Sequence, residues 1–149
     1  MDANGAGLLD DATVERLLER ARESAKQAYV PYSEFPVGAA VLTEDGSIIG
    51  GVNIENASYG LTVCGERVAI FSAAAQGHRV IRAVAVAAPK LAGTTPCGAC
   101  RQVMNEFKPH GGDLVVILDG KDGPVQVPLA QLLPQAFGPR DLDEAAGNA

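Results

Sequence analysis

Leu114-Val115-Val116-Ile117-Leu118, followed by Asp119-Gly120-Lys121-Asp122-Gly123-Pro124 and then Val125-Gln126-Val127, is the stretch that decides the fold. Two short apolar runs separated by a Gly-, Asp- and Pro-containing turn read as consecutive strands. A parallel crossover needs about a dozen residues or more between its strands, so residues 119–124 are too few and the two strands must pair antiparallel. Towards the N-terminus, helical and strand signals alternate. Asp10 to Ala28 sets Val14, Leu17, Leu18, Ala21, Ala25 and Ala28 on one helical face and stops at Tyr29-Val30-Pro31. Val37 to Thr43 and Ile48 to Ile54 flank the turn Glu44-Asp45-Gly46-Ser47 and read as a hairpin. Cys64 to Gln76 is an alanine-rich helix closed by Gly77, and Val80 to Ala88 is a buried strand. Pro96 to Phe107 reads as a further helix, with Thr95 as its N-cap and Pro96 at its first position. A short last helix begins near Pro128 and ends before Pro134. Helices between strands imply a sheet with helices on its faces. The expected class is therefore α/β: a three-layer α-β-α sandwich around a five-stranded mixed sheet whose last two strands are antiparallel.

The chain has 149 residues, enough for one domain with its own hydrophobic core. Residues 1–149 are expected to form that single domain, with 1–9 and 141–149 as flexible tails that have little to bury. The formal net charge is −6 and no Lys/Arg cluster stands out, a poor surface for phosphate neutralisation. A nucleic-acid partner is not expected. No segment approaches the ~18 unbroken apolar residues of a membrane helix. The opening Met1-Asp2-Ala3-Asn4-Gly5-Ala6-Gly7-Leu8-Leu9-Asp10-Asp11 lacks the basic region and apolar core of a signal peptide. The expectation is a soluble, cytoplasmic protein with no membrane partner.

Three cysteines are an odd count, which argues against a disulfide framework. Cys97 and Cys100 stand in Pro96-Cys97-Gly98-Ala99-Cys100, and Cys64 opens a helix well upstream. Helix N-termini favour thiolate over thiol, and thiolates are what zinc requires. Residues three apart lie on one side of a helical turn, so Cys97 and Cys100 can reach one ion. Three protein ligands leave a tetrahedral zinc with an open position, the mark of a catalytic site. His78 and His110 read as surface residues. Glu66, two residues after Cys64, is either a first-turn glutamate favourable to the helix dipole or a general acid/base beside the metal. Cys97 and Cys100 could also be a redox pair, and Cys64 a small buried hydrophobe. Taken together, C-x-E upstream and P-C-x-x-C downstream favour a catalytic metal centre with Glu66 as its acid/base.

Cys64-Gly65-Glu66 and Pro96-Cys97-Gly98-Ala99-Cys100 fit the zinc-deaminase signature in its three-cysteine form. With Pro31-Tyr32-Ser33, Phe35-Pro36-Val37-Gly38-Ala39-Ala40, Asn53-Ile54-Glu55-Asn56, Cys100-Arg101-Gln102 and Leu132-Leu133-Pro134, the chain closely resembles the small homotetrameric zinc-dependent cytidine deaminases over about residues 12–138. The resemblance implies hydrolytic deamination of free cytidine and 2′-deoxycytidine to the uridines with release of ammonia, in pyrimidine salvage. A zinc-activated water would attack C4 with Glu66 as proton shuttle. It implies one Zn²⁺ per chain on Cys64, Cys97 and Cys100, and a homotetramer whose active sites are shared between subunits. Asn53 and Glu55 match the pair that binds ribose hydroxyls. Phe35 and Phe137 match aromatic residues of the base pocket, with Phe137 reaching into a neighbouring subunit. Gly65 matches a backbone contact to the base, at a position where family members often carry alanine. Arg67 matches an arginine beside the cysteine sulfurs, and Tyr59 a position near the subunit boundary. The rival readings are a blasticidin-type nucleoside deaminase of the same fold and a non-catalytic structural zinc module.

Overall fold

A computed structural model of the chain describes residues 8–147. The helices are α1 (Asp11–Ala25), α2 (Gly65–Ala75), α3 (Gly98–Phe107), α4 (Leu129–Leu132) and α5 (Pro139–Ala145). The strands are β1 (Gly38–Thr43), β2 (Ile48–Val52), β3 (Ile81–Ala87), β4 (Val115–Gly120) and β5 (Gly123–Pro128), and a single 3-10 turn covers Tyr59–Leu61. The strands form one sheet in the order β2-β1-β3-β4-β5. β3 and β4 are parallel, joined by the crossover through α3, and the remaining neighbours are antiparallel. This is the mixed sheet that the short 119–124 connection requires. The turn is tighter than the sequence suggests: Gly120 pairs with Gly123, leaving Lys121 and Asp122 at the tip, and Gly123 takes φ 121°, a value that favours glycine.

The helix α1 starts where Asp10 Oδ1 accepts from the Thr13 N–H at 2.7 Å, an N-cap that satisfies one orphan donor of the first turn. Its buried stripe is Val14, Leu17, Leu18, Ala21 and Ala25, as the helical spacing demands. That stripe packs on Ala40, Leu42, Ala83, Ala85, Ala87, Val115 and Ile117. The alternate residues Ala39, Val41, Val84, Val86, Val116 and Leu118 face α2 and α3 on the opposite side. Each strand thus feeds two cores, because successive side chains point to opposite faces. Three layers result. Burying a leucine such as Leu17 or Leu18 contributes about 1.5–3 kcal/mol.

Two glycines let the helices approach the sheet at backbone distance. A Cβ on Gly38 would lie 1.9 Å from the Ala21 carbonyl oxygen of α1, and one on Gly51 would lie 2.4 Å from the Ala69 nitrogen of α2.

Two expectations are corrected. α3 begins at Gly98 with Cys97 as its N-cap (φ −69°, ψ 169°), so Thr95 and Pro96 precede the helix rather than start it. The extended backbone of Cys97 sets the boundary. β2 ends at Val52, and residues 53–55 continue as an extended segment in which Ile54 bridges Tyr29 and Val63. The described parts of the ends also carry contacts. Leu9 exchanges hydrogen bonds with the Gln126 side chain at 2.8 and 3.1 Å. Residues 139–145 are helical, with the Gly138 N–H donating to Asp141 Oδ2 at 2.7 Å, although α5 buries none of its residues. Residues 1–7 and 148–149 of the expected tails lie outside the described residues.

Gly38 stands in register with Val52 on one side and Ala87 on the other. The start of β1 and the ends of β2 and β3 therefore meet at one end of the sheet. The segments leaving that end carry Phe35, Asn53, Glu55 and Cys97.

Candidate active site

Cys64 is the N-cap of α2 and Cys97 that of α3, both with extended backbone and neither making a side-chain cap. Cys100 follows in the first turn of α3. Helix packing brings the two N-termini together. Cys64 Sγ lies 3.8 Å from Cys97 Sγ, and Cys97 Sγ lies 3.5 Å from Cys100 Sγ. All three sulfurs fall within 4.8 Å of one another, and among the described residues they are the one such group of potential metal ligands. Zinc bonds of about 2.3 Å at tetrahedral angles set two sulfurs about 3.8 Å apart, so the cluster has the spacing of one zinc ion with a fourth position free. Neither histidine joins it: His78 Nδ1 faces Asp45 at 3.9 Å, and His110 lines a concavity elsewhere.

The electrostatics favour a cation. The Cys64 thiol is held down to about 5, chiefly by its hydrogen bond with Cys100 and then by Arg67. The same hydrogen bond to Cys64, with burial and the charge of Glu66, pushes Cys100 well up. The opposite directions describe thiols too close to ionise together: the first thiolate comes easily and the next is opposed. A dication at the centre removes that opposition. Arg67 Nη2 donates to Cys64 Sγ at 3.5 Å, while Arg67 Nε is buried without a partner among the described residues. Three thiolates and Zn²⁺ sum to −1, and this guanidinium offsets that charge.

Glu66 sits in the first turn of α2 and is 4% exposed. Burial raises its carboxyl above the usual range, and the neighbouring Cys64 adds to the effect. A glutamate serving a helix dipole has no need to be buried. Beside it, Gly65 packs against the loop before β1, where a Cβ would lie 3.1 Å from the Val37 carbonyl oxygen.

Of the other expected residues, Phe35, Asn53, Glu55 and Tyr59 lie on segments around this end of the sheet, and Phe137 stands against the body of α3. Asn53 Oδ1 accepts from the Val37 N–H at 2.9 Å and Asn53 Nδ2 donates to the Phe35 carbonyl at 2.8 Å, so its amide braces the segment that carries the half-buried Phe35. Glu55 Oε1 accepts from the Tyr32 and Ser33 N–H groups at 2.9 and 3.1 Å. Hydrogen bonding by Ser33, and then by the Tyr32 N–H, holds its carboxyl low. Tyr59 is 75% exposed and meets Tyr32 edge to face, with ring centroids 5.9 Å apart. Tyr32, Ser33, Glu55, Tyr59 and Thr62 line a recess of about 350 Å³. A larger concavity of about 730 Å³ lies between α3 and α5 and includes none of the expected site residues.

The sequence reading passed over Asn105 and quoted Arg101 and Gln102 without a role. Arg101 donates to the Pro96 and Leu132 carbonyls at 2.7 and 2.8 Å. Gln102 and Asn105 both donate to the Phe137 carbonyl, at 2.7 and 3.1 Å. The available signal was a pair of amides three apart on a helix, which marks one face but names no partner.

Residues 11–116 match the cytidine and deoxycytidylate deaminase zinc-binding region, a match that spans all three cysteines and Glu66. The chain belongs to the cytidine deaminase family. It is 48% identical over 134 residues to a cytidine deaminase of Sporosarcina psychrophila, covering 89% of this chain and 97% of that one. A cytidine deaminase of Halalkalibacterium halodurans is 48% identical over 131 residues, covering 87% and 98%. Among solved structures, the cytidine deaminase of Burkholderia pseudomallei superimposes with a TM-score of 0.76 at 46% identity, over 83% of this chain and 98% of that one. The matched region of the family is a zinc-binding one, and the Cys64, Cys97 and Cys100 sulfurs form a cluster that could hold one zinc ion.

Proposed function

We propose that this chain hydrolyses free cytidine and 2′-deoxycytidine to the corresponding uridines and ammonia. The observation that carries the reading is a buried carboxylate, Glu66, beside a three-sulfur cluster that leaves one coordination position free. When bound, zinc supplies the Lewis acidity that makes water a nucleophile at neutral pH. Glu66 takes a proton from the attacking water and carries it to N3 of the base; it then takes the proton of the new C4 hydroxyl and delivers it to the amine, so that the C4–N bond breaks as the C4 carbonyl forms. Its burial keeps bulk water from competing for that proton. Arg67 steadies the negative charge of the sulfurs.

Asn53 and Glu55 are assigned to the sugar. The Glu55 carboxyl is held low, chiefly by the Ser33 side chain and then by the backbone N–H groups of Ser33 and Tyr32, and those N–H groups both meet Oε1, which leaves Oε2 for a hydroxyl. Asn53 keeps one N–H and one lone pair beyond its two backbone contacts. Phe35, Phe137 and the backbone at Gly65 are assigned to the base. The recess beside Glu55 is lined by two tyrosines, a serine and a threonine and no basic residue, which supports a nucleoside over a phosphorylated nucleotide. The net charge of −6 supports a free base-sugar over nucleic acid.

The reading includes a homotetramer with shared sites, supported by rings at Tyr59 and Phe137 that are 75% and 61% exposed in the single chain. It also includes a cytoplasmic location, where three unpaired thiols remain reduced. No helix among the described residues is long and apolar enough to cross a membrane. The test is an ultraviolet assay with cytidine and deoxycytidine beside a zinc determination. The expected result is one zinc per chain and conversion of both nucleosides. A fully zinc-loaded protein that leaves both unchanged overturns the proposal.

A further inference from the structure

Asn105, Thr43 and Glu66 are the buried polar side chains among the described residues, and no step of the reaction uses Asn105. Its Nδ2 and the Nε2 of Gln102 converge on one oxygen, the Phe137 carbonyl, at 3.1 and 2.7 Å. Residues three apart share a helix face, so α3 presents both donors side by side. The chain passes this face at backbone distance: a Cβ on Gly138 would lie 2.5 Å from Asn105 Nδ2. Arg101 grips the same C-terminal segment earlier, through the Leu132 carbonyl at 2.8 Å. Phe137 is 61% exposed in the single chain, so its own subunit packs little against the ring. Within its own chain, the clasp on the carbonyl is what locates it. α3 therefore carries two metal ligands at one end and, along its body, the donors that locate an aromatic residue assigned to the base.

We propose that Gln102 and Asn105 are positioning residues for pyrimidine recognition, fixing through the Phe137 carbonyl how its ring is presented to the base pocket of a neighbouring subunit. This rests on the assignment of Phe137 to the base. It predicts a coupling that a merely structural role lacks: the effect of losing a donor must pass through the ring.

The test is steady-state kinetics with cytidine on the zinc-loaded full chain for Gln102→Glu, Asn105→Asp, Phe137→Ala and Gln102→Glu in the Phe137→Ala background. The two acidic variants keep side-chain shape and replace the N–H donor by an oxygen. Gln102 is exposed, so Gln102→Glu folds even if the buried Asn105→Asp does not. In Gln102→Glu, KM rises on the order of fivefold, the loss of about one hydrogen bond, with kcat and zinc content unchanged. In the Phe137→Ala background the same substitution changes KM no further. A raised KM in Phe137→Ala combined with no effect, or an equal and additive effect, of Gln102→Glu overturns this inference and leaves the base assignment standing. An unchanged KM in Phe137→Ala overturns both.

Discussion

Glu66 shows how much one residue depends on its surroundings. A glutamate in the first turn of a helix is ordinary. One that is 4% exposed, with its carboxyl raised by burial and a neighbouring thiolate, holds a proton more readily than a surface glutamate and is suited to passing it on. Glu66→Gln is expected to lower kcat by about 10²–10⁴-fold, the usual worth of a general acid/base, while zinc stays near one per chain. Loss of zinc in that variant would instead make Glu66 a ligand. Arg67 is similar: Cys64 sits three residues before it on the sequence, but the contact at 3.5 Å shows that its charge is directed at the sulfurs.

At the scale of elements, the site depends on how closely α2 lies against the sheet. Gly51 sets that distance, since a Cβ there would meet the Ala69 nitrogen at 2.4 Å and the Gly65 carbonyl oxygen at 2.6 Å. Both are backbone atoms that cannot rotate away. Gly51→Ala is expected to cost at least about 1–3 kcal/mol in denaturant unfolding and to weaken zinc binding, because Cys64 and Glu66 ride on α2. Unfolding and zinc affinity equal to those of the parent chain would show that the helix can lift without consequence. The β1–β2 turn gives a pH dependence. Asp45 is held down to about 2 by the Thr43 hydroxyl, 2.5 Å away, and by the Ser47 N–H at 3.0 Å. Its pKa is lower folded than unfolded, so its contribution to stability is present above about pH 4 and lost as pH falls towards 2. The melting-temperature difference between the parent and Asp45→Asn should therefore be constant near neutrality and close over that interval. A difference that does not change with pH would exclude the carboxylate as its source.

For the whole molecule, the three-sulfur cluster stands where the N-termini of two directly packed helices meet. Folding is what brings the sulfurs on α2 and α3 together, so zinc held by all three would favour the folded chain over the unfolded one. Removal of zinc with a chelator should abolish turnover and lower the melting temperature. At a thousandfold excess of free zinc over Kd the difference corresponds to about 4 kcal/mol, and both should return on adding zinc. A melting temperature indifferent to zinc would mean that the sulfurs hold no ion. The sequence by itself determined the alternation of helices and strands, the antiparallel last pair and the three thiols with their carboxylate, because periodicity, turn length and ligand spacing are local properties. It also placed boundaries imperfectly, at Thr95 and beyond Val52, since caps and strand ends depend on which backbone partners are present. Only the tertiary structure decided that Gly38, Val52 and Ala87 meet at one end of the sheet and that Gly51 admits α2. It alone decided that Asn53 and Glu55 spend part of their polarity on the Phe35 and Tyr32 segments, and that Gln102 and Asn105 close on Phe137. These contacts join residues far apart in the chain, and no local pattern of side chains encodes the packing that brings them together.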